Sequence, residues 1–456
     1  MNVAEKNPTE KRRSGCGCLL TGVAVVFVVL VLSFVIWRMQ ASRRVAAEVA
    51  RLRTAGQPTT PMELAEYYET PNEDEDTTQL WLDGMLPLTT QEFMAKVAKL
   101  PIVGNSESKH PALNQDWPEL AAVRQLLVEH QYSLDKFHTA AAKGGRARYA
   151  VKFQDGIGAL LPHAQNQRGA ARMLKLEAFV RARDGDAHGA AEAIHAIFMA
   201  ARSLEHEPLL ISQLVRIAIH GMAIGLIEEL LPQVEFLDED LRRLQADLRA
   251  ADWRDGLQRG LAGERSTGLL TFRNPSTLDP DMRQVGWVAN NDDLLLYLRL
   301  HQQLIDAANE PWPQALQQVE QVDQQIKKIV GSPLGRVRHI FTALMMPAAN
   351  AAFQAGARID ASSQAADAAI AVELFRRKHG KLPTKLDELV PEFLPQLPLD
   401  PFDGQPLRFL VRDDEYVIYS IGADRVDNGG QKQPNPNDEI IFTVKRPSSP
   451  PRQAAE

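Results

Sequence analysis

Twenty consecutive residues without a charge, Cys18 to Trp37 ("CLLTGVAVVFVVLVLSFVIW"), constrain this chain more than any other stretch of it. At about 1.5 Å per residue, a helix of that length spans roughly 30 Å, the hydrocarbon thickness of a bilayer. A cleaved signal peptide is the rival reading. Its apolar region normally runs about 7 to 15 residues and ends in a small-residue cleavage site, and neither condition is met well here. The expectation is an uncleaved single-pass anchor in the cell membrane, which makes the lipid bilayer the first partner. Lys6, Lys11, Arg12 and Arg13 precede the span, and Arg38, Arg43, Arg44, Arg51 and Arg53 follow it. Charge alone therefore leaves the orientation open.

Both cysteines, Cys16 and Cys18, sit at the membrane edge, so the rest of the chain has no disulfide. Two small apolar residues at a helix start outweigh acylation as their reading. The net charge of -7 argues against nucleic acid, which calls for a basic footprint.

Composition shifts divide the 456 residues into a basic tail (1–17), the span (18–37), a juxtamembrane helix (38–56), a linker region (57–116), a helical array (117–346), an α+β domain (347–446) and a disordered tail (447–456). The fold class is mainly α with a small α+β C-terminal domain. In the juxtamembrane helix Val45, Val49 and Leu52 share one stripe. The linker region holds prolines and the acidic run Asn72 to Asp76, which reads as solvated chain with one short helix at "PMELAEYY". In the array, short connections between amphipathic helices predict antiparallel neighbours. Asp238 is a candidate N-cap, and the Pro, Gly and Asn density between Arg265 and Asn291 predicts a long loop. The pair "ARDGDAHGAAEAIHAIFMAARSL" resembles a tetratricopeptide helical hairpin, but only one repeat is visible and no period of about 34 residues follows.

Catalytic motifs are scarce. His188 and His195 lie seven apart, too far for a metal pair at i, i+4. "HEPLL" at His206 begins like a zinc-protease helix and is broken by Pro208. No serine nucleophile elbow, phosphate loop or dinucleotide glycine pattern occurs. Glu264 and Arg265 offer an anion site at a helix end or, more simply, a surface ion pair.

The C-terminal region is the most patterned. "DASSQAADAAIAVELFRRKHG" predicts a helix with Ala366, Ile370 and Leu374 on one stripe, cations in its last turn and Gly380 as the stop. Thr384 and Asp387 suggest a capping pair for "KLDELV". The runs "LRFLV", "YVIYSI" and "EIIFTV" then predict a three-stranded antiparallel sheet packed on the long helix.

Asp400-Pro401-Phe402, Gly404-x-Pro406 and Tyr419-Ser420-x-Gly422-Ala423-Asp424, following "ELFRRKHGKLPTKLDELV", carry a resemblance to the C-terminal globular domain of the major pseudopilin of type II secretion systems over about residues 367–444. The resemblance implies a calcium-binding loop after the second strand, with Ser420, Asp424 and Asp438 at matching positions. Asp427 and Asn428 are added as candidates from local chemistry, since calcium takes about six to eight oxygen ligands on a flexible loop. Gly422, Gly429 and Gly430 would let carbonyls turn inward. A polar hairpin loop whose aspartates cap turns is the alternative. The family's prepilin signal has no counterpart here, because Gly15 is followed by "CGCLLTG". The resemblance thus implies a borrowed fold on an anchored protein, with a cytoplasmic N-terminus and an extracytoplasmic bulk.

The functional expectation is a non-catalytic interaction or envelope scaffold whose partner is another envelope or secretion protein. A membrane-tethered hydrolase with a pocket between the array and the C-terminal domain is the first alternative, and a type II secretion accessory the second.

Overall fold

The computed structural model describes residues 14–104, 111–277, 290–346, 348–431 and 439–445. The chain is mainly helical with one small three-stranded antiparallel sheet. Helix α1 (Ser14–Thr54) leads into three short helices, α2 (Pro61–Tyr67), α3 (Thr78–Met85) and α4 (Gln91–Val97). The array follows as α5 (Leu120–Glu129), α6 (Gln131–Ala142), α7 (Pro162–Arg183), α8 (Ala187–Arg202), α9 (Leu210–Leu230), α10 (Asp238–Arg249) and α11 (Trp253–Arg273). It continues through α12 (Asn291–Ala308), α13 (Trp312–Gly331), α14 (Pro333–Arg338) and α15 (Ile340–Met345) to the long α16 (Ala348–His379). Strands β1 (Arg408–Val411), β2 (Glu415–Ser420) and β3 (Ile440–Lys445) form the sheet in the order β1-β2-β3.

The sheet's register pairs Arg408 with Tyr419, and Tyr416 with Val444. This faces Tyr416 inward, where its hydroxyl donates to the Ala369 carbonyl at 3.1 Å and lies 3.0 Å from Glu373 Oε1. Helix α16 packs on β2 and β3 on one side and on α9, α10, α11 and α13 on the other. A helix enclosed so fully needs small side chains, and Ala357, Ala361, Ala365, Ala366, Ala368 and Ala369 are all buried. Alanine is also the strongest helix former, so the same residues favour the element and its packing. The backbone N–H of Thr443 on edge strand β3 donates to Glu228 of α9 at 3.0 Å.

The hairpin of α7 and α8 turns at Gly185 with φ +81°. Asp186 then caps α8 by accepting the N–H of Gly189 at 2.8 Å. Gly260 and Gly263 on α11 let that helix approach the start of α9: a Cβ at Gly263 would lie 1.6 Å from the Pro208 carbonyl oxygen. Gly268, at the start of the expected long loop, likewise makes room for the Tyr297 ring, and α11 continues through it to Arg273. Residues 278–289 of that loop lie outside the described residues.

Several other expectations are corrected in detail. The short helix expected at "PMELAEYY" is α2, but α3 and α4 join it in the region 57–116 and are packed rather than solvated, with Trp81 and Met85 of α3 and Phe93 and Val97 of α4 buried. Asp238 lies in the first turn of α10, with Leu237 at the cap position. Thr384 pairs with Glu388 rather than Asp387, its N–H donating to Glu388 Oε1 at 2.9 Å.

Glu264 and Arg265 are not a surface ion pair. Adjacent helical residues point about 100° apart, and the two enter different environments. The Glu264 carboxyl accepts the N–H of Leu210 and is pushed up to about 7 by burial. Arg265, fully buried, donates to Gln302 Oε1 and to Gln57 Oε1, both at 2.9 Å. Burial against these neutral partners pulls its pKa down to about 10. It ties the chain just after α1 to α11 and α12.

Among the described residues two helices are long and apolar enough to cross a membrane. Helix α9 is largely buried in the array, whereas the apolar window of α1 has mean hydropathy 2.5 and none of it buried. Past Trp37 the same helix enters the core, with Ala41, Val49 and Leu52 buried against the array.

We expect Gly263→Ala to destabilise the full-length protein by about 3 kcal/mol, since the added methyl meets backbone. Gly225→Ala on the exposed side of α9, where nothing lies within 4 Å, is expected to be neutral or to stabilise by about 0.5 to 1 kcal/mol. Urea unfolding in nanodiscs, followed by tryptophan fluorescence, compares the two.

Candidate functional site

Of the residues expected to bind calcium, Ser420 is fully buried and turned away from the loop. Its hydroxyl donates to Asp400 Oδ1 at 2.8 Å and accepts the N–H of Gly422 at 3.1 Å. Asp424 Oδ1 accepts the N–H of Val426 at 3.0 Å, a local turn. Asp427 Oδ1 accepts from the Tyr419 hydroxyl and from the N–H of Gly429, both at 3.0 Å. Its other oxygen lies 3.8 Å from Arg408 Nε.

The backbone N–H of Asn428 donates to Glu439, a carboxylate the sequence reading passed over. Asp438 lies outside the described residues. The carbonyls of Gly429 and Gly430, natural calcium ligands, receive the Arg412 guanidinium at 3.2 and 3.0 Å. Among the described residues no group of three or more His, Cys, Asp or Glu is placed to hold a metal ion. In the described part of the loop Asp424 Oδ1, Asp427 Oδ1 and the Gly429 and Gly430 carbonyls are engaged by N–H groups, the Tyr419 hydroxyl and a guanidinium.

The residues that carried the resemblance serve a different centre. Asp400, buried at 1% exposure, accepts from Ser420 Oγ, from the N–H groups of Ile421 (2.9 Å) and Phe402 (3.0 Å), and from Arg408 Nη1 (2.8 Å). Arg408 also donates to Asp403 at 2.5 Å. One carboxylate thus closes its own turn and fixes the end of β2. Gly404, with φ +74°, allows that turn and packs beside Pro313 of α13.

The same turn forms one wall of a cleft of about 930 Å³ between the array and the C-terminal unit. The end of α10 and the starts of α11 and α13 form the opposite wall, and α16 the floor. On the floor lie Asp360, Ser363 and Asp367, at helical spacings that bring them to one face.

Asp367 is clamped: Arg249 of α10 donates to both its oxygens, at 2.6 and 2.8 Å, and Gln245 donates to Oδ1 at 2.8 Å. Asp360 has neutral partners, the Gln364 amide at 2.8 Å and the Trp312 indole, and burial pushes its carboxyl up to about 6. Gly356 makes room for that indole, since a Cβ there would come within 2.8 Å of it. Beneath the floor, His220 Nε2 lies 3.1 Å from Ser363 Oγ, with its ring between Phe198 and Trp253. Burial, with Arg216 adding to it, pulls His220 down to about 3, so the imidazole is neutral.

Sequence reasoning placed a pocket at this junction only as an alternative and named none of these residues. Asp360 and Ser363 stand inside an alanine-rich helix, and their partners are far away in the chain. No family model, curated protein or solved structure matches this chain.

Two outcomes follow. Asp400→Ala is expected to cost about 3 to 5 kcal/mol, because it leaves the buried Ser420 hydroxyl and the N–H groups of Ile421 and Phe402 without their acceptor and removes one partner of Arg408. Asp403→Ala, at a half-buried position, is expected to cost about 1 kcal/mol or less, and denaturant midpoints separate the two. For Asp360 the folded-state pKa stands above the unfolded value near 3.9, so its contribution to stability is full below that value and lost as pH rises through about 6. Asp360→Asn should therefore gain on the wild type by on the order of 2 to 3 kcal/mol between pH 4 and 7.5. A difference in unfolding free energy that does not vary with pH would contradict this.

Proposed function

We propose that the chain is a single-pass membrane-anchored, non-catalytic interaction protein of the cell envelope, and that the cleft on α16 is its recognition site. The anchor is the apolar part of α1, residues 18–37, with the N-terminus cytoplasmic and the bulk extracytoplasmic. Its support is the exposed apolar side chains from Val23 to Leu32 and from Val35 to Trp37, a surface that water penalises and a bilayer removes. The partner is a polypeptide segment of another envelope or secretion protein.

The observation that carries the reading is the cleft with Asp360 on its floor, its hydrogen bonds made to an amide and an indole. Among the described residues Asp360 makes no ion pair, the Arg254 guanidinium acting on it only at longer range, so a basic side chain in a docked segment supplies a close counter-charge. Trp312 and the prolines at 311, 313, 395 and 398 give flat apolar walls for the rest of such a segment. Large concave sites with a few convergent polar groups are where binding concentrates.

A photo-crosslinking residue at Gln396, exposed in the cleft wall, tests this in native membranes. A discrete crosslinked polypeptide is expected from position 396 and not from Val128 on α5. It should fall about tenfold in Asp360→Asn, the loss of roughly one charge-assisted contact. Equal capture from both positions, or capture indifferent to Asp360→Asn, would remove the cleft as the recognition site.

The tethered hydrolase is the second reading, favoured by the His220–Ser363 pair on the cleft floor. Against it, Ser363 Oγ is closer to the Ile359 carbonyl, at 2.8 Å. The hydroxyl proton then goes to the backbone and His220 donates to the serine, the reverse of an activated nucleophile. A fluorophosphonate probe should leave Ser363 unlabelled, and labelling lost in Ser363→Ala would favour the hydrolase instead.

A further inference from the structure

Helix α14 and its flanks present a second unusual surface. Leu334 and Val337, one helical turn apart, are 85% and 70% exposed, and Leu344 on α15 is 54% exposed. Contiguous exposed apolar side chains on a packed body mark a contact surface. Between residues 327 and 338 the chain carries Lys327, Lys328, Arg336 and Arg338 and no acid, against a net charge of -7 overall. Lys327 and Arg338 have acidic neighbours in Asp323 and Asp292, which leaves Lys328 and Arg336 as the cations facing outward.

The position of this patch identifies what it meets. The Arg338 guanidinium lies over the Trp37 ring at 5.7 Å from its centroid. Trp37 is the last residue of the apolar run of α1, and tryptophan at the end of such a run belongs at the headgroup layer. A basic, leucine-bearing helical turn at the same level has the composition of an element lying in the membrane interface. Lysine and arginine there extend to phosphates while their stems cover apolar surface.

We infer that α14 is an interfacial foot: Leu334 and Val337 enter the acyl boundary beside α1, and Lys328 and Arg336 contact the anionic headgroups of the same leaflet. The inference rests on the proposed anchor and adds a second, peripheral contact to it.

The test uses the full chain, with Cys16 and Cys18 replaced by serine, reconstituted in nanodiscs containing an anionic phospholipid. An environment-sensitive fluorophore is placed in turn on Leu334→Cys, on Val29→Cys within the apolar run, and on Val128→Cys at 74% exposure on α5. Quenching by lipids labelled near the headgroup and by lipids labelled deep in the acyl chain gives the depth of each site. Position 29 is expected to be quenched by the deep label, position 334 by the shallow label, and position 128 by neither. Reversing Lys328 and Arg336 to glutamate should lower shallow quenching at 334 about twofold or more, given roughly 1 kcal/mol per basic residue near an anionic surface.

If position 29 is quenched while 334 behaves like 128, the foot is overturned and the anchor stands. If neither 29 nor 334 is quenched, the anchor fails and the foot with it. Quenching at 334 that is indifferent to the charge reversal overturns the headgroup contact.

Discussion

The structure depends on one helix being packed on two opposite sides along its length. Helix α16 carries the sheet on one side and four array helices on the other, and only alanine-sized residues allow both approaches at once. This turns what would be two units into one body. Tyr416 reaches from the sheet to the α16 backbone, and Gln245 and Arg249 reach from α10 to Asp367 and to the Phe393 carbonyl. Polar bonds made to a buried helix are costly to leave unmade, so they fix the angle between the two sides as well as holding them together.

The cleft is a by-product of that angle. Where α16 runs between the units, its face is covered by α9 below and left open between α13 and the turn at Asp400. The residues lining the gap divide by partner. Asp367 and Asp400 are held by arginines and act as fasteners. Ser363 is buried and held by the Ile359 carbonyl and His220, whereas Asp360, held by neutral groups, remains the chemistry open to a visitor. The same contrast explains why the residues most patterned in the sequence, around Asp400 and Ser420, turned out to face inward.

Much of the architecture was legible. Alanine content and 3.6-residue periodicity gave a mainly helical chain, and three short β-branched and aromatic runs gave a small antiparallel sheet. Glycine misled where the residue type that ends α7 at Gly185 recurs inside α11 as Gly268, making room there for the Tyr297 ring. Of the short helices, α2 was expected at "PMELAEYY" and α3 and α4 were missed, because seven or eight residues hold too few apolar positions to show a period, yet Trp81 and Met85 dock α3 and Phe93 and Val97 dock α4. Glu264 and Arg265 looked like a pair because they are neighbours in sequence, which on a helix is what separates them. The candidate site was invisible, since Asp360 meets Trp312 and Ser363 meets His220 across 48 and 143 residues. Nothing local marks such residues.

Helix α1 has one more consequence. It runs unbroken from Ser14 to Thr54, and between Val23 and Thr54 no glycine or proline interrupts it. Its C-terminal half is locked into the body by the buried Ala41, Val49 and Leu52, and the chain just beyond its end is fastened by Arg265. On the anchored reading it is a mast without a swivel. The altitude and compass bearing of the cleft above the lipid plane are then fixed by the tilt of a single rod, and any force on the body is felt as a lean of the rod within the membrane.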